Sequence, residues 1–200
     1  MIAELELVCE IKRLLLRGTE SGHLPLKLAV AESLTCGRVQ SAIGAVSGAS
    51  QFFLGGVTAY TGEQKVALLG VSRAEGEAVN WVSAAVAEQM ARGATQLFGS
   101  DFALATTGYA EPASEWGVHI PFAWWALARR KSGDADGVTG GAKADFFVRS
   151  ERVECPGCSR VEVQKAVTAA ALTGLCDYLG AYSKNETGRL WAACTTKQGE

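Results

Sequence analysis

The sequence predicts a layered α/β domain built on a mixed sheet. Two observations carry this reading: segments with helical and strand periodicity alternate along most of the chain, and two late strands follow one another across a single turn. The 200 residues fit one domain with a sizeable core. A balance of 48% hydrophobic and 20% charged residues is that of a globular chain, not a disordered one.

Ile2, Leu5, Val8, Ile11 and Leu15 recur at spacings of three and four, predicting an amphipathic helix over residues 2–17. Residues 18–25, with two glycines, a Ser and a Pro, form a loop. A buried strand at 26–30 runs into Ala31-Glu32-Ser33, and the small-residue stretch 37–46 is the helix it enters. A glycine-led strand follows at 55–60, then a short helix at 63–69 stopped by Gly70. Val82, Val86, Met90, Ala94 and Leu97 share one face of a long helix at 82–98, with Ser83 placed to cap it. Strands are predicted at 101–107, 122–128 and 144–148, the last two joined by a Gly- and Asp-rich turn at 133–141. The final helix covers 161–179, with Val163, Val167, Ala170 and Leu175 along one side. From Ser183 the period is lost, which divides the chain into one domain over 1–182 and a loose tail over 183–200.

Several function classes are excluded by composition. A formal net charge of -2 without clustered Lys and Arg gives no footprint for nucleic acid. The longest apolar stretch, 120–128, is too short to span a bilayer, and the acidic N-terminus lacks the basic region of a signal peptide. A cytoplasmic protein with reduced thiols is therefore expected, and the six cysteines need not form a disulfide framework. Cys155 and Cys158 have redox or half-zinc-site spacing, but no second pair is suitably spaced, so a turn is the simpler reading.

Two places can carry chemistry. Ser33, between a strand and a helix, is explained by capping of the first helical turn, or it is a nucleophile if a base lies near. In the second case, amides of Thr35 to Gly37 are candidates for an oxyanion site. Tyr60 at a strand end and Lys65 one turn into a helix can both point back at the strand ends. A desolvated Lys there can act as a base, whereas a solvated one is only a surface charge.

Lys27-Leu28-Ala29-Val30-Ala31-Glu32-Ser33 and Tyr60-Thr61-Gly62-Glu63-Gln64-Lys65, followed by Leu68-Leu69-Gly70-Val71, resemble the two signature segments of the CinA C-terminal family. The likeness continues through Gly48-Ala49-Ser50 with residues 52–57, Val82-Ser83, Asp101 to Gly108, and Pro156-Gly157 with Arg160. It thus covers roughly residues 5–180. The resemblance implies a three-layer α/β/α domain with a mixed, largely parallel sheet. It also implies hydrolysis of the carboxamide of nicotinamide mononucleotide, giving nicotinate mononucleotide and ammonia. The implied catalytic group falls on Ser33 as nucleophile, Lys65 as base and Tyr60 assisting. Substrate contacts are expected from Glu32, Thr35, Cys36, Gly37, Thr107, Gly108, Tyr109 and Arg160. No metal and no cofactor are expected. The expected partners are a small-molecule substrate (a pyridine mononucleotide or related amide) and further copies of the chain in a homo-oligomer, with no nucleic acid and no membrane.

The chain departs from the family pattern in three places. Leu34-Thr35-Cys36-Gly37 stands where the family has Cys or Ser, Thr and two glycines, and Gly62 stands where the family has Asn. After Gly108, the family's glycine- and proline-rich loop is replaced by Tyr109-Ala110-Glu111-Pro112-Ala113-Ser114. Glu111 then brings a negative charge to where the phosphate is expected. An altered substrate, or binding without turnover, is therefore the second expectation. A third is an assembly protein using Trp116, Trp124 and Trp125 around His119.

Overall fold

The computed structural model describes residues 2–19, 22–131 and 145–195, with side chains described within 4–183. Five strands form one sheet: β1 (Leu28–Glu32), β2 (Phe53–Thr58), β3 (Phe102–Tyr109), β4 (Phe122–Arg130) and β5 (Phe146–Glu154), in the order β2-β1-β3-β4-β5. β1 pairs in parallel with β2 and β3, while β4 runs antiparallel to both β3 and β5. The sheet is mixed as predicted. All its strands but β4 point one way, although the β3–β4–β5 pairings are antiparallel. The turn expected at 133–141 lies outside the described residues.

Helices cover both faces, and the alternation of side chains along the strands decides which helix goes where. Leu28, Val30, Phe102, Leu104, Trp125 and Leu127 fill one face, under α1 (Ile2–Leu15), α2 (Arg38–Gly44) and α6 (Arg160–Thr195). The other face is nearly all alanine: Ala29, Ala31, Ala103, Ala105, Ala126 and Ala128. Small side chains let α5 (Ala84–Phe98) lie close to the sheet through Val86, Ala87, Met90, Ala91 and Ala94. Leu97, expected on that face, is exposed instead. Ser83 caps α5 as predicted, accepting from the Val86 amide. α3 (Gly62–Leu69) packs so tightly on α5 that a Cβ at Gly93 would fall 2.1 Å from the Leu69 carbonyl oxygen.

Two elements differ from expectation. A short helix, α4 (Arg73–Ala78), follows α3 with Ser72 accepting from the Glu75 amide. The pair Ser72 and Glu75 has capping-box spacing, a local signal for that helix start. Residues 183–195, expected as a loose tail, continue α6 as helix. That stretch contains no proline to stop it, and Tyr182 ties the preceding turn to the sheet edge-on to Phe102 and stacked on Tyr178. Trp116, Trp124 and Trp125 do not cluster. Adjacent strand residues face opposite ways, so Trp125 is buried under α6, Trp124 lies on the α5 face, and Trp116 is exposed at the end of a single 3-10 turn, Ser114–Trp116. Among the described residues no helix is long and apolar enough to cross a membrane.

Candidate active site

β1 is where the chain reverses its direction of travel across the sheet. The connection to β2 passes over one face through α2, and the return to β3 passes over the other through α5. A crevice opens outside the carboxyl ends of parallel strands at such a point. Ser33 follows β1 directly there, its amide donating to the Thr106 carbonyl at 3.0 Å.

Ser33 does not cap α2. Glu32 does so from within: the wholly buried carboxylate accepts from the amides of Gly37 (3.0 Å), Val39 (3.1 Å) and Gln40 (2.9 Å). Charge-assisted bonds at the positive end of a helix are what make a buried carboxylate tolerable. Glu32, expected to touch substrate, instead shapes the turn that presents Ser33. The same bonds consume the Gly37 amide, and the Cys36 amide donates to the Ser33 carbonyl at 3.2 Å, so the oxyanion role expected at these two positions is corrected. Cys36 (φ 51°) and Gly37 (φ 94°) turn away and line a separate groove with Arg38 and Lys165. Thr35 is buried, its hydroxyl 2.7 Å from that of Thr106, and braces β1 against β3.

Lys65 reaches the same point from α3. Thr61 caps that helix, which places Lys65 one turn in, and its Nζ donates to Ser33 Oγ at 3.0 Å and to the Tyr60 carbonyl at 3.4 Å. Lys65 is 3% exposed and Ser33 6%. Burial pushes the amine down from its ordinary 10.5 to about 8, because water no longer solvates the ammonium form. Tyr60 contributes to Lys65 through its backbone. Its half-exposed side chain is turned outward, with the hydroxyl accepting from Arg160 Nη2 at 2.6 Å while Arg160 Nη1 binds Glu111 at 2.9 Å.

Ser33 and Lys65 open onto a cavity of about 350 Å³ that also reaches Tyr60, Thr107, Gly108, Tyr109 and Arg160, five of the residues expected there. Thr107 donates its hydroxyl to the Trp81 carbonyl at 2.8 Å. Gly108 admits no side chain, since a Cβ would fall 2.5 Å from Ala123 Cα. The Tyr109 hydroxyl accepts from Asn80 Nδ2 at 3.0 Å. Beneath the cavity Cys155 packs with Leu34, Ala110, Ala123, Val163 and Val167, and the Cys158 amide closes a turn on the Cys155 carbonyl.

Asn80 and Trp81 line this cavity and escape sequence reasoning. Both are left-handed, with φ of 46° and 63°, and the Trp81 ring lies across two glycines. A Cβ on Gly62 would come within 2.1 Å of the ring, and one on Gly76 within 2.3 Å. The departure at Gly62 thus has a packing reason. Two glycines around a Trp, after an Asn that tolerates the left-handed region, are the only traces of this in the sequence.

The profile of the CinA C-terminal domain matches residues 18–179. A CinA-like protein of Shewanella sediminis is 38% identical over 148 residues, covering 73% of this chain and 31% of that relative. One from Picosynechococcus sp. is 43% identical over 109 residues, covering 49% of this chain and 26% of its own length. The chain therefore spans about a third or less of these curated relatives. Among solved structures, the competence damage-inducible protein A of Klebsiella pneumoniae has a TM-score of 0.73 at 27% identity, covering 88% of this chain and 97% of its own. The competence/damage inducible protein CihA of Agrobacterium tumefaciens has a TM-score of 0.66 at 25% identity, covering 87% and 95%. By its sequence, and with the sheet order and helix layers described above, the chain belongs to the CinA C-terminal domain family.

Proposed function

We propose that this protein is a serine amidohydrolase of the nicotinamide mononucleotide deamidase type. The observation that carries the reading is the buried pair of Ser33 Oγ and Lys65 Nζ at 3.0 Å, opening onto a cavity at the switch point of the sheet. A hydroxyl is a weak nucleophile unless a base takes its proton, and an amine poised near pH 8 is such a base.

Lys65, in its neutral form, takes the Ser33 proton as Oγ bonds to the carboxamide carbon. The resulting ammonium stabilises the developing negative charge and then gives its proton to the leaving nitrogen, which departs as ammonia. Water attacks the acyl ester, again losing its proton to Lys65. The C–Oγ bond breaks, Ser33 recovers a proton, and the carboxylate product leaves. The Tyr60 carbonyl holds the amine in line throughout, and the Tyr60–Arg160 bond closes the outer wall. Trp81 and Tyr109 supply aromatic surface for a planar ring.

The test is ammonia release from nicotinamide mononucleotide and from its nucleoside by the purified protein, beside Ser33→Ala and Lys65→Ala variants. Release that both substitutions abolish is the expected result. Retained turnover in Ser33→Ala overturns the mechanism. Thermal stabilisation by either compound without ammonia release replaces it with a binding role.

A further inference from the structure

We infer that Cys155 and Cys158 form a redox site: a low-molecular-weight disulfide oxidises them to an intramolecular bond that staples the end of β5 to the start of α6, beneath the cavity. Neither thiol takes part in the reaction proposed for Ser33 and Lys65, so this site stands whether or not that reaction occurs.

Cys155-Pro156-Gly157-Cys158 make one turn. The Cys158 amide donates to the Cys155 carbonyl at 3.3 Å, and Gly157 is left-handed with φ of 72°. Pro second and a left-handed Gly third are the type II arrangement, which keeps its end Cα atoms within about 7 Å of each other. A disulfide needs Cα atoms about 4.4–6.8 Å apart, so this turn needs little adjustment to close one. Both thiols are free, and both pack in one apolar cluster with Leu34, Ala110 and Val163. Burial, and then the neighbouring Cys158 sulfur, push the Cys155 thiol above its ordinary 9.0. The backbone on either side is already fixed. The Cys155 amide donates to the Pro121 carbonyl at 2.9 Å, and the Ser159 amide and hydroxyl donate to the Glu162 carboxylate at 2.8 and 2.7 Å.

The two sulfurs differ in access, since Cys155 is 3% exposed and Cys158 is half-buried. Cys158, as thiolate, attacks one sulfur of the oxidant; that S–S bond breaks and one thiolate leaves. Cys155 then gives its proton to water, and its sulfur displaces the second thiolate from Cys158. The two cysteines lose two protons and two electrons, and the oxidant takes both electrons to become two thiols. A thiol reductant runs the same steps backwards. Arg160, the first residue of α6, stands two positions beyond Cys158 and lines the cavity. The staple thus fixes the backbone from which the bonds to Tyr60 and Glu111 are made.

The experiment places the purified full chain in glutathione buffers of rising disulfide fraction and alkylates the remaining thiols in denaturant. Trypsin, cutting after Arg152 and Arg160, releases residues 153–160, which carry these two cysteines and no other. In wild type this peptide should escape alkylation and be lighter than its dithiol form by two hydrogens, a change that dithiothreitol reverses. A peptide that still carries two alkyl groups, or only bound glutathione, in fully oxidised glutathione overturns the inference.

The melting temperature tests the staple itself. It should rise by about 5 °C on oxidation of wild type, because the cross-link restricts the unfolded chain. Cys158→Ser should show no such rise. A bond that forms without raising Tm, or an equal rise in Cys158→Ser, overturns the staple.

Discussion

The Trp81 ring occupies the space that a side chain on Gly62 would need, with a Cβ there only 2.1 Å from Cε2 of the indole. The contact joins the start of α3, which carries Lys65, to the segment that leads into α5, and it forms one wall of the cavity.

Gly62→Ala should therefore destabilise the protein by about 1–3 kcal/mol, the usual cost of overpacking a closed site. The cost should fall below about 1 kcal/mol when Trp81 is first replaced by Ala, because the two substitutions then share one vacated volume. A double-mutant cycle by urea unfolding measures the coupling, and additive effects would contradict the contact.

Lys65→Met separates function from stability. A buried amine with a hydroxyl and a carbonyl for partners is costly to hold, whereas a methionine of similar length fills the space without a charge. Ammonia release should fall by roughly 10²–10⁴-fold, the usual contribution of a general base. The melting temperature should stay level or rise. A sharp fall in Tm alongside the loss of activity would assign Lys65 a structural role instead.

The depressed Lys65 amine makes two pH dependences. Activity requires the neutral amine, so kcat/KM should rise through about pH 8 and level off above it. In the unfolded chain the amine keeps its ordinary value of 10.5. Between pH 8 and 10.5 the unfolded state thus holds a proton that the folded state has released, and this group makes stability increase with pH across that window. Below pH 8 the cost is fully present, on the order of 3 kcal/mol. Lys65→Met should remove that contribution, which a comparison of unfolding midpoints at pH 7 and pH 10 tests directly.

Glu32→Ala should be among the more damaging single changes near the site. It strips an acceptor from the amides of Gly37, Val39 and Gln40 at once, in a fully buried position. Unpaired buried donors cost about 1–3 kcal/mol each before relaxation or water entry, so a loss of about 3 kcal/mol is expected by denaturant unfolding. Because the turn presents Ser33, kcat should fall more than KM rises. A variant with wild-type stability would show that water satisfies these amides.

Local rules made most of the architecture legible. The i, i+3, i+4 spacing in residues 2–17 and the Ser83 cap are statements about one helix, and α1 and α5 form where those patterns lie. The alternation of alanine with larger residues along β1, β3 and β4 separates the two faces before any helix is placed. Ser33 and Lys65 were legible through the family's ordered segments, because each is anchored by its own neighbours, Glu32 and Thr61.

Other features depended on which surfaces meet. That Glu32 turns inward to hold α2 while Ser33 faces the cavity is decided by the β1–β3 pairing and by the amides of the next turn, not by either residue type. That Tyr60 bonds Arg160, 100 positions away, and that Trp81 lies over Gly62 and Gly76, follow from packing between elements that no short window contains. Periodicity and capping are properties of contiguous chain, so the sequence by itself determined most of the elements and their order along the chain, but not α4 or the extension of α6. The direction of each side chain around the cavity, and with it the charge presented to a substrate, is a property of non-local contacts. Only the tertiary structure decided those, because the energy of an ion pair or a packed ring depends on distances between residues far apart in the chain.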